Sequence, residues 1–184
     1  MVWNVQSICN KVDEVISILS DNGVVLAFFS ETWFSTQKNT ITALLKSAGF
    51  NIVHSFRKKR GGGVGILWHE SLDKRIKVRQ NHRDFTTFQY QNLFFHGNFK
   101  INLICLYRLQ ETSFSLFIDE LNSLLSDLDS SHPIILSGDF NVHFEKKECA
   151  NVKKTIRYYI IFWTSAVCCW SHSRVGPHSG FNFC

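Results

Sequence analysis

An uninterrupted apolar run, Val24-Val25-Leu26-Ala27-Phe28-Phe29, stops abruptly at Ser30-Glu31-Thr32-Trp33, and it limits what this chain can fold into more than any other feature. Its length is that of a strand, and a strand with no polar face must be covered on both sides, which calls for a layered architecture. Ile134-Ile135-Leu136 behaves in the same way and delivers Ser137-Gly138-Asp139-Phe140-Asn141. Residues 2–5 form a third short apolar stretch, after which Ile8, Val12, Val15, Ile16 and Leu19 share one helical face until Asn22-Gly23. The spacing predicts a second helix over 40–48, closed by Gly49, then strands over 50–56, 63–68 and 76–78. Residues 85–95 and 99–107 read as a hairpin turning at His96-Gly97-Asn98. Thr112-Ser113 caps a helix whose apolar positions Phe114, Phe117, Ile118, Leu121, Leu124, Leu125 and Leu128 keep a 3.6 period. Strands that alternate with helices at both ends and pair locally in the middle predict mixed sheets covered by helices.

The chain is long enough for such a fold. A domain of this size hides about 70% of its unfolded surface, so 184 residues need no disulfide framework. With 45% hydrophobic and 19% charged residues, intrinsic disorder is excluded. No apolar run approaches the roughly 20 residues that span a bilayer, and the start Met-Val-Trp-Asn lacks the layout of a secretion signal. The six cysteines show no paired CxxC spacing, which argues against a zinc site and fits a reducing compartment. These features predict an intracellular protein that is not secreted and does not enter a membrane, with the nucleus open as its compartment. The net charge of +5 leans towards a polyanionic partner; oligomeric state is not readable.

Polar residues follow three of the predicted strands: Asn4, Glu31, and Asp139 with Asn141. Ligand sites in α/β folds gather where strands end, and a carboxylate with a few oxygen donors suits Mg²⁺ near a phosphate. Each residue also has a plainer explanation. Asn4 fits a turn or a strand edge, Glu31 the first turn of a helix, residues 138–141 a β-turn, and Tyr107 a packed ring with a hydrated hydroxyl.

Five segments in order carry a resemblance: Trp3-Asn4-Val5-Gln6-Ser7-Ile8 with Asn10-Lys11, Ser30-Glu31-Thr32-Trp33, Gly61-Gly62-Gly63-Val64-Gly65-Ile66, Leu106-Tyr107-Arg108 and Gly138-Asp139-Phe140-Asn141. The chain resembles the endonuclease/exonuclease/phosphatase superfamily, most closely the apurinic-type endonuclease domain of non-LTR retrotransposons. The resemblance implies an α/β two-sheet sandwich flanked by helices, and a metal-dependent phosphodiesterase that nicks DNA to leave a 3′ hydroxyl for reverse transcription. It implies Mg²⁺, or Mn²⁺ in its place, with Glu31 and Asn4 at the metal. Asp139 would orient or deprotonate the attacking water, Asn141 would hold a phosphate oxygen, and Tyr107 would stabilise the pentacovalent phosphate. Arg57, Lys58, Lys59 and Arg60 would contact the DNA backbone, or else form a solvated loop tip.

Two departures qualify the resemblance. The family closes its site with a C-terminal Asp-His pair, and none follows Asn141 here: His172 and His178 have no neighbouring Asp, and His143 follows the Gly-Asp-Phe-Asn motif too closely. Leu109 stands where relatives commonly have proline. The sequence therefore predicts a partial domain over 1–148 and an atypical tail over 149–184. His178-Ser179-Gly180-Phe181-Asn182-Phe183 can be encoded so that a one-base shift reads Thr-Leu-Asp-Leu-Thr-Phe, a segment that resembles retrotransposon relatives, so the tail is expected to be out of frame and the C-terminal part incomplete. Three functions follow as expectations: an impaired DNA-nicking enzyme, a catalytically silent DNA- or protein-binding remnant, and a small-molecule phosphoesterase.

Overall fold

The computed structural model describes residues 1–34, 38–55, 61–79, 83–141 and the backbone of 166–170. Arg57, Lys58, Lys59, Arg60, His143, His172 and His178 lie outside the described residues. The order is β1 (Val2–Asn4), α1 (Val12–Asp21), β2 (Leu26–Ser30), α2 (Lys38–Ser47), β3 (Phe50–Ser55), β4 (Val64–His69), a 3₁₀ segment (Glu70–Arg75), β5 (Ile76–Val78), β6 (Phe88–His96), β7 (Lys100–Arg108), α3 (Phe114–Ser126), β8 (Ile134–Asp139) and β9 (Ala166–Trp170). One sheet runs β1-β2-β4-β3 and the other β5-β6-β7-β8-β9. The pairs β1/β2, β7/β8 and β8/β9 are parallel; the rest are antiparallel.

The sheets stack face to face and helices cover their outer faces. Within β2, Phe28 points into the seam between sheets beside Val64, Ile66, Leu93 and Leu103. Its neighbours Ala27 and Phe29 point the other way, against Val15 and Leu19 of α1 and Leu45 of α2. Both faces of β2 are dry, which is why its sequence carries no alternation. The second sheet repeats the arrangement: Leu103, Cys105 and Tyr107 of β7 enter the seam, while Ile104 and Leu106 meet Phe117, Leu121 and Leu124 of α3. Burying each such side chain contributes about 1.5–3 kcal/mol, so the α3 stripe alone anchors the helix firmly. Ser113 caps α3 by accepting from the Leu116 N–H. The hairpin pairs His96 with Lys100 across residues 97–99.

Four details differ from the sequence pattern. Ile8 is buried with the α1 core but precedes the helix, because Gln6 and Ser7 turn the chain at φ 45° and 84°. Glu31 lies in a loop rather than a first helical turn, and Gly138 and Asp139 belong to β8 rather than a turn. Residues Ala166–Trp170 add a strand beside β8, inside the segment expected to be an atypical tail. No helix among the described residues is long and apolar enough to cross a membrane.

Candidate active site

Parallel pairing places the ends of β1 and β2 together, with Asn4 opposite Ser30, and the ends of β7 and β8 together, with Tyr107 opposite Asp139. The two sheets meet at these ends. Asn4 Nδ2 donates to Asp139 Oδ2 at 3.0 Å, and Tyr107 OH donates to Glu31 Oε1 at 3.2 Å. The Asn141 N–H donates to Asp139 Oδ1 at 3.0 Å. All five residues singled out from strand ends therefore come together, and Asn4, Glu31, Asp139 and Asn141 are only partly buried.

The backbone around them is held in costly conformations. Among the described residues, the non-glycine positions with positive φ are Gln6, Ser7, Glu31, Trp33 and Asn141, all within a few residues of the ends of β1, β2 and β8. Each costs about 1–3 kcal/mol and persists only where surroundings over-determine it. Here Ser7 N–H donates to Glu31 O at 2.8 Å and Ile8 N–H to Thr32 O at 3.1 Å, stitching the first two loops together. Thr32 and Trp33 N–H groups reach Gly63 and Gly62 carbonyls, and Gln89 Oε1 accepts from Gly63 N–H at 2.8 Å from the other sheet. A Cβ on Gly63 would stand 2.6 Å from Thr32 Oγ1 at φ +87°, so only glycine fits this close approach.

Burial, then the neighbouring Glu31 charge, pushes the Tyr107 hydroxyl up to about 12, so it stays protonated across the physiological range. Glu31 accepts a second bond from Trp33 Nε1 at 3.1 Å. Among the described residues neither Glu31 nor Asp139 forms an ion pair. The oxygen set consists of two carboxylates and the Asn4 amide, and no group of three His, Cys, Asp or Glu gathers among the described residues. Two uncompensated carboxylates with spare lone pairs fit a hard cation that keeps several waters, and do not fit a zinc site.

Four further residues hold this set: Trp33 on Glu31, Gln89 on the glycine loop, Gln110 Nε2 on Asn141 Oδ1 at 3.2 Å, and Arg108 on Asn141 O. Trp33 and Arg108 stand in segments that carry the resemblance, where no role was assigned to them, and Gln89 and Gln110 carried no signal.

A family model described as the Endonuclease/Exonuclease/phosphatase family matches residues 1–176. The chain belongs to the endonuclease/exonuclease/phosphatase family. Its members are hydrolytic nucleases and phosphatases. No curated protein matches the sequence. Among solved structures, an AP endonuclease from Archaeoglobus fulgidus superposes with a TM-score of 0.60 at 17% identity, covering 87% of this chain and 68% of that one. Humanized Danio rerio (D. rerio) TDP2 gives 0.51 at 17% identity, over 82% and 68%. The 3′ phosphatase NExo from Neisseria, bound to a product DNA hairpin, gives 0.53 at 17% identity, over 83% and 61%. These likenesses are of fold, and the endonuclease/exonuclease/phosphatase architecture accounts for both sheets and the helices outside them.

Proposed function

We propose that the cleft at the strand ends hydrolyses phosphodiester bonds in DNA with Mg²⁺, or Mn²⁺ in its place, as the nicking endonuclease domain of a retrotransposon. The observation that supports this reading best is the convergence of Asn4, Glu31, Tyr107, Asp139 and Asn141, through direct hydrogen bonds, at strand ends of both sheets. Glu31 and Asn4 are the residues that would hold the cation. Bound there, it would stabilise negative charge on the phosphate oxygens as a Lewis acid.

The side chains have separable tasks. Asp139 takes the proton of the attacking water, its carboxylate fixed on one oxygen by Asn4 and on the other by the Asn141 N–H. Asn141 Nδ2 uses one hydrogen on the Arg108 carbonyl, and a phosphate oxygen would take the second in place of the Tyr107 hydroxyl, which the Asn141 side chain also contacts. Tyr107 remains a donor because its hydroxyl does not ionise at physiological pH, and a phosphate oxygen competes with Glu31 for that proton. As water adds to phosphorus the P–O3′ bond breaks and the 3′ oxygen takes up a proton, leaving a 3′ hydroxyl. Arg57, Lys58, Lys59 and Arg60 supply backbone contacts that make binding fall with salt.

Residues 142–184 contain no Asp-His pair, which supports slow turnover by these residues on their own, since a general acid–base group contributes about 10²- to 10⁴-fold. The same feature favours the second reading, a silent DNA- or protein-binding remnant. Segment 149–184 is proposed to be partly out of frame. Strand β9 and the family match to residue 176 both reach into it, so sequencing the transcript decides how much belongs to the domain. Nicking of supercoiled plasmid in Mg²⁺, compared with EDTA and with Asp139→Ala, tests the enzyme reading. Metal-dependent nicking lost in the variant supports it, whereas nicking no faster than the Asp139→Ala background defeats it. Hydrolysis of a small phosphoester without nicking transfers the site to the phosphatase branch.

A further inference from the structure

Arg108 ends β7 one residue beyond Tyr107, on the face that packs against α3. It is 6% exposed, and its guanidinium carbon lies 5.3 and 5.5 Å from the ring centres of Phe114 and Phe117. A buried cation is usually paired with a carboxylate, yet among the described residues Arg108 forms no ion pair and its Nε has no hydrogen-bond partner. Its donors go to carbonyls: one terminal nitrogen to Asn141 O at 3.0 Å, the other to Thr112 O at 2.8 Å. Asn141 returns the contact, its Nδ2 donating to Arg108 O. One arm of this fork and the returning amide together hold a residue at φ +48° whose own N–H fixes Asp139.

We propose that Arg108 is a positioning residue that holds Asn141 in its left-handed conformation and so keeps the Asn141 N–H aimed at the Asp139 carboxylate. The fork geometry explains why arginine stands here, since one planar group reaches two carbonyls while its face lies on the Phe114 and Phe117 rings. The catalytic consequence rests on the proposed DNA hydrolysis; the grip on Asn141 does not.

The test compares the full chain with Arg108→Met, which keeps bulk without donors, and Arg108→Lys, which keeps charge and one donor point. Two readouts are taken: steady-state plasmid nicking in Mg²⁺, and backbone hydrogen exchange of 138–141 against that of α3. Arg108→Met is expected to lower kcat about 100-fold, the cost of roughly 1 Å of misplacement, with KM within about twofold of the parent. Arg108→Lys is expected to recover part of that loss. Exchange should quicken at 138–141 while α3 stays protected. Parental kcat and exchange in Arg108→Met overturn the proposal, as does an equal loss of protection in α3, which marks a purely structural residue. Where Arg108→Met does not fold, Arg108→Lys carries the same two comparisons. If the parent chain does not nick plasmid, the functional reading fails while the exchange data still decide the grip on Asn141.

Discussion

Gly138→Ala strikes the joint between the fold and the site. Gly138 sits in β8 opposite Leu106 of β7 at φ +132°, and a Cβ there would stand 1.9 Å from Leu106 O and 2.8 Å from Leu106 N. The obstructing atoms are backbone, so no side chain can swing away and the strands must part by about 1 Å before the contact is even tight. The backbone conformation costs about 1–3 kcal/mol for a residue with a side chain, and overpacking adds about 1–3 kcal/mol. The total of about 2–6 kcal/mol is a large share of a typical domain's stability. With a urea dependence of about 2 kcal/mol per molar, the unfolding midpoint should fall by about 1–3 M. Gly23→Ala is the control: φ is +59° with nothing within 4 Å of the added carbon, and the expected loss is about 1 kcal/mol. Because Asp139 is the next residue, Gly138→Ala should also slow plasmid nicking about 100-fold even where it remains folded. A midpoint shift no larger than that of Gly23→Ala refutes the steric reasoning.

Two further outcomes concern pH. Cys105 is fully buried between the sheets, its thiol donating to Phe29 O at 3.4 Å, and burial pushes it from 9.0 up to about 12. A value raised by folding contributes stability that is complete below pH about 9 and disappears as pH rises towards 12, on the order of 4 kcal/mol. Urea midpoints under reducing conditions should therefore decline above pH 9, and Cys105→Ala should flatten that decline. An unchanged slope contradicts this. On the acid side, burial works against the Glu120 charge, but hydrogen bonds from the side chains and N–H groups of Thr87 and Thr86 outweigh it and hold the carboxyl below 4.5. Its contribution is present above about pH 4.5 and is lost as pH falls through the lowered value. Glu120→Ala should cost about 2 kcal/mol at pH 7 by stranding the buried Thr87 donors, and less at pH 3; equal losses at both pH values refute the assignment.

The elements that were legible in the sequence are those specified by local pattern. Residues 24–29 had to be covered on both faces, and Phe28 and Phe29 do face different cores. The period of α3 is likewise local, as is the hairpin turn, which falls on residues 97–99, one position later than the pattern placed it. The order β1-β2-β4-β3 was not legible, because pairing of β2 with β4 skips a helix and a strand and leaves no periodic trace. Glu31, Asp139 and Asn4 could be singled out individually as polar residues at strand ends. Their mutual contacts could not, since Asn4 and Asp139 lie 135 positions apart. The roles of the supporting residues were hidden for a related reason: Gln89 and Arg108 act on backbone atoms of distant loops, and those loops are fixed by tertiary contacts rather than propensity. Strand β9 was not picked out although Ala-Val-Cys-Cys-Trp is a continuous apolar run like that of β2, because the tail around it shows no period, capping residue or turn chemistry that fits the rest of the domain.

If the strand-end residues act as one phosphodiesterase site, as proposed, Glu31 and Asp139 serve the same transition state, and a double-variant cycle of plasmid nicking in Mg²⁺ detects it. Glu31→Gln and Asp139→Asn keep size while removing charge. Groups that serve one transition state are strongly non-additive, so each variant alone should lower kcat about 10³-fold or more and the double variant should be little worse than either. Independent, multiplying losses, or a parental rate in either single variant, would mean that the two carboxylates do not form one site.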